Sequence, residues 1–167
     1  MGSIGLNRMG EGARAPNLSI RTVFEGNMSM PTTESYPPVS SPQKSTLHVC
    51  TSCRRQGTPR EPREQRPGFI LYEALSAAVS QSALRDHVSV EPAECLSVCP
   101  RPCGIALSQR GKWSYLFGDQ MPFETVDDII ECIELFHSRP KGFMARNERP
   151  KSLRGSILGR IPLTKQG

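Results

Sequence analysis

The sequence predicts a small α/β domain, a four-stranded mixed sheet with two covering helices. Three observations carry this reading. Short β-branched runs alternate polar with apolar residues; two longer runs repeat apolar residues at helical spacing; and the order is strand, helix, strand, hairpin, helix.

Residues 46–50, TLHVC, alternate and read as a strand that delivers Cys50 to its C-terminal end. A basic, proline-rich loop follows, CTSCRRQGTPREPREQRPG. From Phe69 onward, Ile70, Leu71, Leu75, Ala78, Val79 and Leu84 recur near helical spacing behind Pro67 and Gly68, which predicts a helix over 68–84. HVSVEPAEC is the second strand, GIALSQ the third, and Gly111 turns the chain into a fourth, KWSYLFG. Thr125 stands where a helix N-cap belongs, ahead of an inward face of Val126, Ile129, Ile130, Ile133 and Phe136, and Pro140 ends that helix. A right-handed crossover makes the first two strands parallel neighbours, and the hairpin extends the sheet. This is a thioredoxin-like arrangement. It puts Cys50 and Cys53 after the first strand and Cys95 and Cys99 after the second, on loops that share one edge of the sheet.

The rest of the chain frames this domain. Residues 1–45 are rich in Gly, Pro, Ser and Thr without periodicity and read as a disordered leader, within which Met28 and Met30 offer alternative starts. The domain is expected over 46–138, and 139–167 as a basic C-terminal tail. Up to residue 45 there are 4 basic and 3 acidic residues, over 46–137 there are 9 and 12, and over 138–167 there are 8 and 1, so the formal charge of +5 resides in the tail. Within it Arg146, Arg149, Lys151, Arg154 and Arg160 are candidates for docking an acidic protein surface; the alternative is a strap over the acidic domain itself. Aromatic residues are too few there for a nucleic-acid surface. No apolar run nears the roughly 20 residues of a membrane span, and no secretory signal opens the chain, so a soluble, cytoplasmic protein is expected.

Six cysteines in a reducing compartment point to metal or redox chemistry rather than structural disulfides. C-x-x-C, 41 residues, then C-x-x-x-C supplies four soft thiolates, which suit a tetrahedral zinc site and a 2Fe-2S cluster alike. Arg54, Arg55 and Arg101 flank the cysteines, where they would offset the charge of a thiolate cluster. Pro100 and Pro102 stiffen the second loop, and Gly104 allows backbone N–H groups near sulfur. Cys103 is a surplus thiol: an additional ligand, a replacement for Cys53, or a small buried residue. Cys132, on the last helix, reads as packing, as does the row Trp113, Tyr115, Phe117. His48, His87 and His137 have no catalytic partner in view, and His137 reads as a cation at a helix C-terminus.

HVCTSC, CLSVCPRPCGIAL, KWSYLFGD and the closing RPKSLRGSILGRIPL resemble an uncharacterised bacterial family of predicted metal-binding proteins, over residues 46–163. That family is similar in turn to the thioredoxin-like 2Fe-2S ferredoxins, with two cysteines after the first strand and C-L-G-x-C-x-x-G-P after the second. The resemblance implies Cys50, Cys53, Cys95 and Cys99 as cluster ligands in an electron carrier. Ser97 and Pro102 stand where those ferredoxins have glycines, and Cys103 where they have proline. The resemblance also implies a redox or metal-handling partner, connected with cobalamin synthesis. Two alternatives stand beside the cluster: a zinc or cobalt module, and a thiol-disulfide oxidoreductase using Cys50 and Cys53. The proline-rich loop after Cys53, in place of an immediate helix, speaks against the last.

Overall fold

The computed structural model describes residues 43–54, 57, 59–99 and 101–163. Strand β1 (Ser45–Cys50) lies inside a sheet, between β2 (Val88–Ala93), to which it is parallel, and β3 (Ile105–Ser108), to which it is antiparallel. The hairpin partner β4 (Ser114–Phe117) follows β3, so the first four strands stand in the thioredoxin-like order. The connection from β1 to β2 carries helix α1 (Pro67–Ser80), and helix α2 (Val126–Ser138) follows β4 and packs on α1.

The core is made where the alternation predicts it. Leu47 and Val49 of β1 are fully buried, as are Leu71 and Leu75 of α1 and Phe136 of α2. Tyr115 and Phe117 lie on one face of β4 with their rings stacked at 6.0 Å, and Phe136 meets Tyr115 edge-on at 6.2 Å. Cys132 is buried on α2, 3.8 Å from Met144 Sδ.

Three expectations need correction. The sheet has five strands rather than four, in the order β2-β1-β3-β4-β5. The fifth, β5 (Ile157–Ile161), comes from the segment read as a tail, after a short helix α3 (Lys151–Gly155). It pairs antiparallel with β4, and a bulge at Leu116/Phe117 leaves Leu158 unpaired. Second, α1 stops at Ser80 instead of 84, because the Ser82 hydroxyl donates to Val79 O and accepts the Leu84 N–H, turning the chain. Leu84 stays in the core, 5% exposed, without belonging to the helix. Third, Thr125 precedes α2 but does not cap it: its hydroxyl bonds the Met121 carbonyl and amide instead.

The C-terminal end of α2 also differs from expectation. Lys112 Nζ donates to Phe136 O and His137 O, supplying the cation that the helix end attracts. His137, half-buried beside Lys112 and His87, is pushed below the usual imidazole range by burial first and then by those neighbours. Its Nε2 lies 3.0 Å from Ser45 Oγ.

Residues 139–163 are fastened to the sheet by two main-chain bonds and one to a side chain. Trp113 N–H donates to Lys141 O, Gly118 N–H to Ser156 O, and the buried Met144 N–H to Tyr115 Oη at 2.8 Å. Tyr115→Phe removes that last acceptor and leaves a buried N–H unbonded. It should lower stability by about 1–3 kcal/mol in urea unfolding; a loss below about 0.5 kcal/mol would mean that the bond does not hold the segment.

Candidate metal centre

Cys50 ends β1, and the backbone there is tied to both neighbours at once. Its N–H donates to Gly104 O at 2.9 Å, and the Thr51 N–H donates to Ala93 O at 2.8 Å. One loop, Cys50–Cys53, and a second, running from Glu94 to Gly104, therefore start from one edge of the sheet. The first turn of α1 closes on this edge: Gly68 N–H lies 3.4 Å from Cys53 O, and a Cβ on Gly68 would sit 2.1 Å from Cys50 O. Only glycine lets the helix approach so closely. The second loop bends through two left-handed residues, Ser97 and Cys103, each at φ 55°. Ser97 takes a conformation that glycine adopts without a Cβ clash and that other residues seldom adopt.

Cys50, Cys53 and Cys103 are all buried here, at 2%, 2% and 3% exposure. The Cys53 thiol bonds the Cys50 sulfur, and this is the main cause pulling Cys50 down to about 5; burial opposes it, and the N–H groups of Leu96, Ser52 and Cys53 add to it. Cys53 is pushed far above the ordinary thiol range by the same bond and by burial, although the Gly104 and Cys103 N–H groups favour its charged form. Cys103 rises to about 11, from burial first and the Cys50 charge second. Of the two thiols, Cys50 is thus the one drawn toward its charged form and Cys53 the one held protonated.

Cys95 and Cys99 are exposed on the second loop, and the Ser97 N–H donates to Cys95 Sγ at 3.3 Å. The Leu96 N–H toward Cys50, and Glu94 O 3.8 Å from Cys50 Sγ, show how near that loop passes. Among the described residues no three His, Cys, Asp or Glu side chains stand close enough to enclose a metal ion. The structure brings Cys50 and Cys53 together, buries Cys103 near Cys50 without completing a ligand cluster, and leaves Cys95 and Cys99 exposed on the adjoining loop. As a donor set, soft thiols facing directed N–H groups fit a thiolate-bound metal or cluster.

The flanking arginines have separate fates. Arg54 is exposed; Arg55 lies outside the described residues, as does Pro100. Arg101 is engaged by Asp119 Oδ2, 2.6 Å from its Nε, and by Gly155 O at 3.1 Å, which binds the second loop to the chain after β4 and to α3. Gly104 packs against Val98, where a Cβ would lie 2.3 Å from Val98 Cγ2. Cys132 stands apart from this edge and is pushed up to about 12 by burial.

A cavity of about 640 Å³ opens beside Cys103, lined by Arg54, Ile70, Gln120 and Phe123 among others. Gln120 is 2% exposed; its Nε2 donates to Gly118 O, while Oε1 has no partner among the described residues. Phe123 is 79% exposed. The sequence holds no pattern that singles out Gln120 or Gly68, because their roles depend on which backbone atoms approach them.

The basic residues of 139–163 are distributed unequally. Arg149 is buried. Arg154 donates to Arg149 O and Asn147 O, Arg160 lies over the Trp113 and Phe143 rings, and Arg146 and Lys151 are exposed. Among the described residues no helix is long and apolar enough to cross a membrane.

A thioredoxin-like 2Fe-2S ferredoxin from Aquifex aeolicus is similar at 18% identity and a TM-score of 0.48, over 71% of this chain and 93% of that one. A crystal structure of the wild-type thioredoxin-like 2Fe-2S ferredoxin from Aquifex aeolicus gives 18% identity and 0.44, over 70% and 98%. No similar sequence is found among curated proteins. The family model described as Protein of unknown function (DUF1636) matches residues 47–163, more than half of the sequence, and the chain belongs to that family.

Proposed function

We propose that this chain is a small metal-binding protein that carries a 2Fe-2S cluster on Cys50, Cys53, Cys95 and Cys99 and serves as an electron carrier. The observation that carries the reading is the meeting of two cysteine loops at one sheet edge, where the Cys50 N–H bonds Gly104 O, the Thr51 N–H bonds Ala93 O, and Cys50 Sγ lies 3.8 Å from Glu94 O. When bound, such a cluster supplies a redox couple whose potential follows net charge and hydrogen bonds to sulfur. The chain's own part is to hold the thiolates in that charged form and shield them. Buried Cys103, with its thiol raised to about 11, is the additional ligand if the set shifts away from Cys53. The partner this reading calls for is a redox or metal-handling protein. A closed four-thiolate zinc site would use the same residues and add to folding directly.

A specific observation favours a second reading, a thiol-disulfide oxidoreductase. The loop after Cys53 returns the first turn of α1 to the dithiol, and Cys50 and Cys53 divide into one lowered and one raised thiol. The proline-rich loop, which in sequence separates Cys53 from a helix, thus brings that helix back to the dithiol in space.

Absorption by anaerobically purified protein, with iron, zinc and acid-labile sulfide measured on the same sample, separates the readings. Visible absorbance with about two irons and two sulfides per chain is expected. Colourless protein with one zinc would replace the cluster by the structural or delivery module, and metal-free protein would leave the dithiol. Cys50→Ser and Cys99→Ser should each bleach the colour, whereas Cys132→Ser should not. Bleaching by Cys132→Ser would overturn the ligand assignment.

The lowered Cys50 thiol has a pH signature in the reduced, metal-free chain. One thiolate should persist at neutral pH and be lost only as the pH falls through about 5. Cys50→Ser should abolish this step in the ultraviolet thiolate absorbance. Cys53→Ala, by removing the largest cause, should move it up toward the ordinary cysteine range; a step that stays in place would disprove the pairing.

A further inference from the structure

At the other edge of the sheet, where residues 142–160 wrap around β4, a second cavity of about 480 Å³ is lined by Phe143, Arg146, Arg149, Ile157 and Arg160 among others. Among the described residues, three arginines and no carboxylate line it. Arg149 is 5% exposed, and its guanidinium gives one hydrogen bond, from Nη1 to Leu153 O at 3.3 Å. Its Nε is buried without a partner, and Nη2 makes no hydrogen bond among the described residues. A buried cation with no counter-ion is unfavourable unless something supplies the missing charge and acceptors. Burial, and the neighbouring Arg160 and Arg146 charges, hold Arg149 below its usual range, although Cys132 and Tyr115 oppose this.

Arg160 adds to the same field. Its Cζ lies 5.0 Å from the Phe143 ring and 5.4 Å from the Trp113 ring, and those rings meet edge-on at 5.5 Å. Aromatic contact occupies the face of a guanidinium and leaves the N–H edge for an acceptor. Neither Arg160 nor Arg146 makes a side-chain hydrogen bond or ion pair among the described residues. Arg154 and Lys151, equally basic in sequence, do not line this cavity.

We propose that Arg146, Arg149 and Arg160 form a binding site for a small phosphate-bearing molecule, with its remainder against Phe143 and Ile157. Three guanidinium groups match a doubly charged phosphate, whose oxygens take paired N–H donors, better than a single carboxylate. A concave site with a buried guanidinium suits a small ligand that enters it, rather than the rim of a flat protein interface. This site is independent of the thiol edge and does not rest on its cofactor.

Isothermal titration of the full, anaerobically prepared chain with pyrophosphate and with inorganic phosphate, at constant ionic strength, tests it. Saturable binding of pyrophosphate is expected. Arg146→Gln and Arg160→Gln, both at exposed positions outside the core, should each weaken it about tenfold or more, since each removes a charge-assisted bond. Lys151→Gln, outside the cavity, should leave the affinity unchanged. No saturable heat with either anion would overturn the site, as would an equal loss in Lys151→Gln, which would mean diffuse charge attraction. Binding of a glutamate-rich peptide in place of pyrophosphate would also overturn it, in favour of an acidic protein partner.

Discussion

Two main-chain hydrogen bonds at the tip of β1 organise the molecule: Cys50 N–H to Gly104 O, and Thr51 N–H to Ala93 O. They stitch the central strand to the chain leaving β2 and to the chain entering β3 at one level. Both cysteine loops therefore begin within one residue of the same fixed point. The interior behind them is tightly filled, with Leu47, Val49, Leu71 and Leu75 fully buried, so the strand end has little freedom to move. Gly68 then sets how close α1 comes. Any side chain there would run into the Cys50 carbonyl, and the helix would have to withdraw from the dithiol.

The electrostatics of the edge follow from that backbone arrangement. Thiols packed together in a low-dielectric site cannot all ionise, so charge concentrates on Cys50, to which Cys53 donates, while burial and the Cys50 charge keep Cys103 protonated. The N–H groups aimed at these sulfurs come from Ser52 and Cys53 on one loop and Leu96, Cys103 and Gly104 on the other. The left-handed turns at Ser97 and Cys103 are part of the path by which the second loop reaches this position.

Much of this was legible in the residues, for physical reasons. The β-α-β unit and the hairpin declare themselves because the burial of β1, β3 and β4 alternates, and because α2 buries a stripe through Ile129, Ile133 and Phe136. The cysteines fall on loops after β1 and β2 because parallel strands put those loops on one edge. What escaped was β5. It is an edge strand, half-buried at Ile157 and Leu158 and exposed along Gly159, Arg160 and Ile161, so no alternation marks it in the sequence. Its attachment runs through main-chain atoms, which carry no side-chain signal. Leu84 misled in the opposite sense: it is a core residue at helical spacing that the chain delivers from a turn. The approach of α1 to Cys53 was hidden likewise, since the intervening loop looked like a separation in sequence and returns in space.

The segment after α2 shows why charge content alone does not define a tail. Its link to the acidic helix is by hydrogen bonds: Asp128 Oδ2 accepts the Ser152 N–H at 3.2 Å and the Ser152 hydroxyl. Its one ion pair among the described residues, Arg139 with Glu148, lies within the segment itself. Docking on the domain therefore leaves most of the segment's positive charge without counter-charge. Leu153 and Met144 are drawn fully into the core, and Arg149 is carried below the surface between them with its charge uncompensated. Had the segment been a strap neutralising an acidic face, its arginines would pair with the carboxylates of α2. Instead Arg146, Arg149 and Arg160 converge on one cavity, and the excess charge that the sequence places in this region becomes a local field with a defined position.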